Sequence, residues 1–521
     1  MPGALLEHEA SSIKIRIRSE QPARRHEAWL FSFGFALLGL VIHGYHPFSE
    51  DAAVYIPAVK RQLDHSMYAG GSDFFLAPAR LSVFSGWVAL SARLVHLPLT
   101  YVLLGWYLTA LTVFLAACWK ICMLCFQDRS FALFGTASIT ALLTLPVANS
   151  SLLISDPYLT SRSLSTPVLL WCVYFALNKR YGVGLLFLFV AVLLHPLMAL
   201  FGAAFLITLV AVQERRWRWL IILAFVAIAT ISTSLALGGR FAINPSYRAA
   251  LLTRPYFFLS TWKWYELAGV IIPLAIFAFL GLSKQVRSPK LRDCALAISL
   301  YGTFFFLLAF MIDRVPAMAA FAKFQPMRSF HLIYILLFLL AVNLVLTTLL
   351  RQKPAVLLVL LAIVTLTMFS IQRRSFPASA HIEAPWELSN DPWREGFDWV
   401  RSNTPKDARF ALDADYMDQR GEGRVGFRAY AERDALADRI KDGGVAALFP
   451  FLASRWKTES QASGDIQNQE ALRRLGATWV LTARRPANLS CPFTNSALAV
   501  CILNPEAKVG KLDARAKAGK E

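Results

Sequence analysis

Long uncharged apolar runs recur along this chain, and nothing else constrains its fold as tightly. A helix of about 20 apolar residues crosses a bilayer. Inside hydrocarbon each backbone polar group must be satisfied within the segment, so runs of this kind become helices. Eleven segments qualify: 28–45, 98–119, 130–149, 163–178, 181–195, 197–213, 218–238, 266–282, 294–312, 331–350 and 354–372. Of 521 residues, 56% are hydrophobic and only 17% charged, which is outside the soluble globular range. The expected fold is a polytopic α-helical membrane protein of about 11 transmembrane helices.

The formal net charge of +19 would suit nucleic acid if it formed one patch. It is instead dealt out to short loops on alternate sides of the runs, which is how topology is written, so nucleic acid is not an expected partner and lipid headgroups are. Lys14, Arg16, Arg18, Arg24 and Arg25 precede the first run. Lys120 and Arg129, Lys179 and Arg180, Arg215 to Arg218, Lys284 to Arg292, and Arg351 with Lys353 follow on the same side. That side is predicted to be cytoplasmic, with residues 1–27 a basic cytoplasmic N-terminus. No small-residue cleavage site closes the first run, since HGYHPF follows it, so it reads as an uncleaved anchor. The run 181–213 is broken at His195–Pro196. Two short helices meeting there keep the basic loops on one side; a single long span would invert everything downstream.

The opposite side receives the long polar loops: 43–97, about 150–162, 239–265 and 313–330. The first holds a predicted helix after Ser49, then Gly70–Gly71, then an amphipathic pattern over 79–96. There Leu81, Val83, Phe84, Trp87, Val88, Leu90, Leu94 and Val95 share one half of the wheel, as in a helix lying in the membrane interface. Residues 28–372 thus form the transmembrane domain. From about 385 the chain turns polar, with helices expected at 391–402, 445–457 and 467–475 and strands at 408–412, 477–482 and 498–503. These elements describe a small α/β extracytoplasmic domain over 385–506, followed by a disordered tail at 507–521. Five cysteines fall in or near spans. Cys491 and Cys501 lie ten apart in the polar domain, where an oxidising compartment would let them pair.

The chain has no Walker loop, dinucleotide fingerprint, G-x-S-x-G elbow or H-E-x-x-H. Its chemistry must come from ionisable residues at the outer ends of spans, where charge is costly and therefore points to function. They are Glu50 and Asp51 after the first span, Asp156 and Arg162 in ISDPYLTSRSLSTP, His195, Arg254 in the third outer loop, and Arg314 and Arg328 in the fourth. Each also has a plainer role open to it. Glu50 and Asp51 follow Ser49 and would favour a helix N-terminus. Asp156–Pro157 is a turn opener, His195 suits an interfacial turn, and most of the arginines suit lipid headgroups.

A basic N-terminus, one span, a long outer loop opening with HPFSEDAAVYIPAVKRQLD, and a C-terminal polar domain together resemble the GT-C glycosyltransferases. WVRSNTPKDARFALD and FRAYAERDALAD are similar to the C-terminal region of bacterial members of that superfamily. The order Glu50–Asp51 departs from the Asp–Glu of its protein mannosyltransferases. The resemblance implies transfer of a sugar from a polyprenyl-phosphate donor to an acceptor at the outer face of a bacterial inner membrane. It implies Asp51 as base, Glu50 or Asp156 assisting, and Arg314 or Arg328, with Arg254 and Arg162 beside them, on the donor phosphate. Paired carboxylates suit Mg²⁺ or Mn²⁺, although nothing in the sequence requires a metal. Two other classes use the same residues: a transporter or flippase for a lipid-linked or anionic solute, and a non-catalytic membrane protein that binds a partner through its outer domain.

Overall fold

A computed structural model describes residues 25–68, 73–238, 243–350, 353–386, 391–419, 424–486 and 488–504. The basic N-terminal stretch before Arg25, Gly70–Gly71, Arg351 and the expected tail at 507–521 lie outside them.

A helix stands at each of the eleven predicted spans. In chain order the helices of the first part are α1 (Arg25–His43), α2 (Ala52–Leu63), α3 (Asp73–Ala79), α4 (Phe84–Val95), α5 (Leu99–Phe126), α6 (Arg129–Ala141), α7 (Ser161–Leu177), α8 (Tyr181–Leu194), α9 (Pro196–Gln213), α10 (Trp219–Gly238), α11 (Pro245–Leu252), α12 (Trp264–Leu282), α13 (Pro289–Arg314), α14 (Phe330–Leu336), α15 (Asn343–Leu350) and α16 (Pro354–Ser375). Among the described residues, eight are long and apolar enough to cross a bilayer, counting α14 to α15 as one. Helices α6, α7 and α8 have 13, 17 and 14 residues, short of the ~20 of a straight crossing. A π turn at Leu337–Val342 joins α14 to α15. The side chain of buried Asn343 donates to the Leu339 and Phe131 carbonyls at 3.1 and 2.8 Å, the kind of polar tie that holds helices together in lipid.

Among the described residues, several of the basic loops contact one another or the first helix. Lys179 Nζ donates to Glu214 at 3.0 Å, Lys290 Nζ to Asn178 at 3.1 Å, and Arg129 faces Glu27 at 3.7 Å. The Lys179–Glu214 bond closes the two ends of α8 and α9, so these helices run out and back as a hairpin that turns at His195–Pro196. His195 takes its plainer role: it caps α9 by accepting from the Met198 amide at 3.4 Å.

The pattern over 79–96 resolves into the shorter α4, which meets α3 at a 91° bend. Its buried stripe is Phe84, Ser85, Val88, Ala89 and Ala92, while Trp87, Leu90, Leu94 and Val95 are exposed. Of the apolar half marked by the wheel, only Phe84 and Val88 are packed inside. Small residues let this helix approach its neighbours and the large ones are left for lipid, the reverse of a soluble helix.

The C-terminal domain contains α17 (Pro392–Asn403), β1 (Arg409–Leu412), α18 (Phe427–Ala431), β2 (Asp434–Ala435), α19 (Lys441–Leu448), α20 (Ala453–Ser463), α21 (Gln469–Arg474), β3 (Trp479–Thr482), β4 (Ser490–Thr494) and β5 (Ala499–Ile502). The sheet order is β2-β1-β3-β5-β4, parallel across the first three and antiparallel at the β3–β5 and β5–β4 pairs. A disulfide joins Cys491 to Cys501 across β4 and β5. The helix expected at 445–457 is two helices, because Pro450 opens a 3-10 turn between them.

Candidate functional site

The first polar loop is built into the C-terminal domain. Residues 48–50 run antiparallel to 424–426: the Glu50 amide donates to Arg424 O and the Gly426 amide to Phe48 O, both at 2.9 Å. Gly426 permits this approach, since a Cβ there would lie 2.3 Å from the Ala53 methyl. Glu50 takes a left-handed φ of 54°, which costs a non-glycine residue on the order of 1 kcal/mol. On its other flank the loop is fixed by the His46 amide, which donates to Pro157 O at 2.8 Å. The segment is thus clamped between the α6–α7 connection and the C-terminal domain.

This clamp gathers Glu50, Asp51, Asp156 and Arg162. Asp51 stands at the N-cap position of α2 but makes no side-chain capping bond. Its Oδ1 accepts from Lys441 Nζ at 3.0 Å and its Oδ2 from Arg162 Nη2 at 3.4 Å. Arg162 donates to Asp156 Oδ2 through Nη2 at 2.6 Å and Nε at 3.2 Å. Glu50 accepts from Lys441 Nζ at 2.6 Å and Arg424 Nη1 at 2.5 Å. Three carboxylates thereby meet three cations across four parts of the chain, in a site that the low-dielectric surroundings make tight.

Burial works to raise every carboxyl here, and the outcome depends on the cations. At Asp51 the desolvation is outweighed by Lys441, then Arg162 and Arg328, so its pKa is depressed. Glu50 is likewise depressed, by Lys441 and Arg424. At Asp156 burial wins over Arg162 and the pKa is raised. The two aspartates also differ in access: the Asp51 side chain is 33% exposed and that of Asp156 5%.

Of the other predicted residues, Arg328 lies against Tyr256, with its guanidinium 5.9 Å from the ring and Nη2 3.5 Å from the hydroxyl. Its charge bears on both Asp51 and Asp156, and it makes no ion pair among the described residues. Arg314 is not brought in: it is exposed, over Phe310 and 3.9 Å from Asp313. Arg254 lies against Gly444 of α19, one turn from Lys441, and so supports the helix that carries the lysine.

Sequence reasoning missed Lys441 and Arg424, since both come from the C-terminal domain, more than 370 residues from their partners. One local signal existed for Lys441. It is the first residue of α19, where the helix dipole disfavours a cation, and a charge in the wrong place locally is balanced elsewhere. The donor set does not fit a divalent metal. Lys441 Nζ already sits between Glu50 and Asp51, and Asp156 is spent on Arg162, so no step is routed through a metal.

No family model matches the chain, and no curated protein matches it in sequence. Among solved structures it is similar to the Archaeoglobus fulgidus oligosaccharyltransferase, crystallised with a disulfide-tethered acceptor peptide. The identity is 11%, the match covers 88% of this chain and 69% of that one, and the TM-score is 0.36. At that score nothing about the site is carried over.

Proposed function

We propose that this protein is a membrane glycosyltransferase of the GT-C type, moving a sugar from a polyprenyl-phosphate donor to an acceptor hydroxyl at the face of the membrane occupied by the C-terminal domain. One observation carries the reading: Asp51, Asp156 and Arg162 converge at the loop end of a helical bundle, within the field of Arg328, which has no carboxylate partner among the described residues. The face is extracytoplasmic in this reading. The short basic loops mark the other face as cytoplasmic, and a disulfide such as Cys491–Cys501 belongs to an oxidising compartment.

Asp51 is the carboxylate that an acceptor can reach. Its Oδ2, held only loosely by Arg162, receives the acceptor's proton as the hydroxyl oxygen bonds to the anomeric carbon. The bond from that carbon to the lipid phosphate oxygen breaks on the far side, so the anomeric centre inverts. Arg328 takes the charge that develops on the leaving phosphate, with Arg162 beside it, in a site where water is scarce. Asp156 holds Arg162 in place, and Glu50 with Lys441 fixes the start of α2.

The test is transfer from a radiolabelled polyprenyl-phosphate sugar by the purified protein in lipid. Asp51→Asn is expected to lower the rate by about 10²-fold or more, and Arg314→Gln to leave it near wild type. Transfer unchanged in Asp51→Asn would remove Asp51 as base. No transfer by wild type from any polyprenyl-phosphate sugar would remove the reading as a whole.

A further inference from the structure

His195 has a second nitrogen that its capping role leaves unused. Nδ1 accepts from the Met198 amide, so it carries a lone pair and the ring hydrogen sits on Nε2. Nε2 has no hydrogen-bond partner among the described residues, and the residue is half-buried rather than sealed. The turn that carries the ring is also held still. The Leu193 carbonyl accepts from the Val83 amide at 2.9 Å and the Leu194 carbonyl from the Ser82 hydroxyl, which ties the α8–α9 turn to the α3–α4 bend.

This turn lies level with Arg162. Helices α7 and α9 run in the same direction and have 17 and 18 residues, and the Lys179–Glu214 bond joins their far ends at 3.0 Å. Midway they touch: a Cβ on Gly202 would run into the Leu169 side chain. Arg162 and His195 each stand seven residues before that contact, two turns and ~10.5 Å along the helix. They therefore reach the same end of the pair, with Arg162 on the side of α7 that faces α9. The charges of Arg162, Arg328 and Asp51 all bear on the His195 ring.

Few other N–H groups near Asp51 are left for a ligand. Arg162 gives Nη2 and Nε to carboxylates; the Arg328 Nε is sealed inside the protein and its Nη2 reaches the Tyr256 hydroxyl. A donor placed on the acceptor's hydroxyl oxygen would weaken it as a nucleophile, whereas a donor on the departing oxygen stabilises charge as it forms. We infer that His195 donates a hydrogen bond from Nε2 to the departing phosphate of the lipid donor, as a neutral partner to Arg328. The electron pair of the breaking C–O bond leaves with that phosphate, the acceptor's proton goes to Asp51, and the His195 proton stays on Nε2 throughout. Val83, Val192 and Leu193, beside the turn, are exposed and apolar, so His195 stands on the side from which a lipid-borne phosphate arrives. The assignment rests on the transferase reading.

Two substitutions separate the nitrogens. In His195→Asn the amide oxygen takes the place of Nδ1 and caps α9, but nothing replaces Nε2. In His195→Gln the amide nitrogen reaches the place of Nε2 and the cap is lost. With a polyprenyl-phosphate sugar as donor, His195→Asn should lower kcat by about 10²-fold at a wild-type KM and melting temperature. His195→Gln should keep more of the rate at a lower melting temperature. Native mass spectrometry of the full chain in detergent, titrated with farnesyl phosphate and farnesol, reads the contact without turnover. His195→Asn should bind the phosphate about tenfold more weakly than wild type does, and the alcohol equally well. Equal loss of both ligands, or phosphate binding and transfer undiminished in His195→Asn, would overturn the assignment and leave the transferase reading standing. Phosphate binding weakened in that variant, with no transfer by wild type, would remove the transferase reading and keep the contact. Should neither variant fold, the absence of any histidine Nε2 resonance that farnesyl phosphate shifts in nitrogen-labelled wild type would overturn the assignment.

Discussion

Two of the site's cations stand where a helix tolerates them least. Arg162 is the second residue of α7 and Lys441 the first of α19, both at the positive end of a helix dipole. Each is held there by carboxylates from elsewhere in the chain. Removing Lys441 leaves Glu50 and Asp51 side by side with one fewer cation. Lys441→Met should cost about 1–2 kcal/mol, less than a fully buried pair because both acids are partly exposed. The same change frees two carboxylates, so Mn²⁺ should raise the melting temperature of the variant but not of wild type. The absence of that difference in a thermal shift titration would mean that Lys441 does not stand in the place of a divalent ion. The aspartates should also separate. Asp156→Asn strips the buried Arg162 of its main partner and should cost about 2–4 kcal/mol, against under about 1 kcal/mol for Asp51→Asn. Chemical denaturation of the two variants checks the order.

The element on which the site depends is the short pairing of 48–50 with 424–426. It was not legible beforehand: neither stretch reads as a strand, and pairs so distant in sequence leave no periodic signal. Gly426 is its tightest point. Gly426→Val should force the C-terminal domain off α2 while leaving both domains folded, and hydrogen exchange at the Glu50 amide should rise by at least about tenfold; an unchanged rate would show that the contact yields without separating. Strands β1, β3 and β5 follow runs that mark them in the sequence, whereas β2 has two residues and β4 alternates around a disulfide. That disulfide closes a short loop, and Cys501→Ser should lower the stability of the C-terminal domain by about 2–3 kcal/mol, measured by calorimetry against the oxidised wild type.

At the scale of the molecule, the two domains are held together by acids of one and bases of the other. Glu50 and Asp51 have depressed pKa values in the folded protein. Their contribution is therefore complete above the ordinary carboxylate range and is lost as pH falls through the depressed values. Calorimetry should show the domains melting together near neutral pH and separating below about pH 3. The amino-acid sequence by itself determined the places of the eleven helices, the break at His195–Pro196 and the polar C-terminal domain. Hydrophobic runs, prolines and the sign of loop charge act locally and are written in order along the chain. Only the tertiary structure decided which charges matter: it left Arg314 at the surface, brought Asp156 to Arg162, and carried Lys441 to Glu50 and Asp51. A charge is stabilised by whatever lies within a few ångströms of it, and in a folded chain those neighbours come from any part of the sequence.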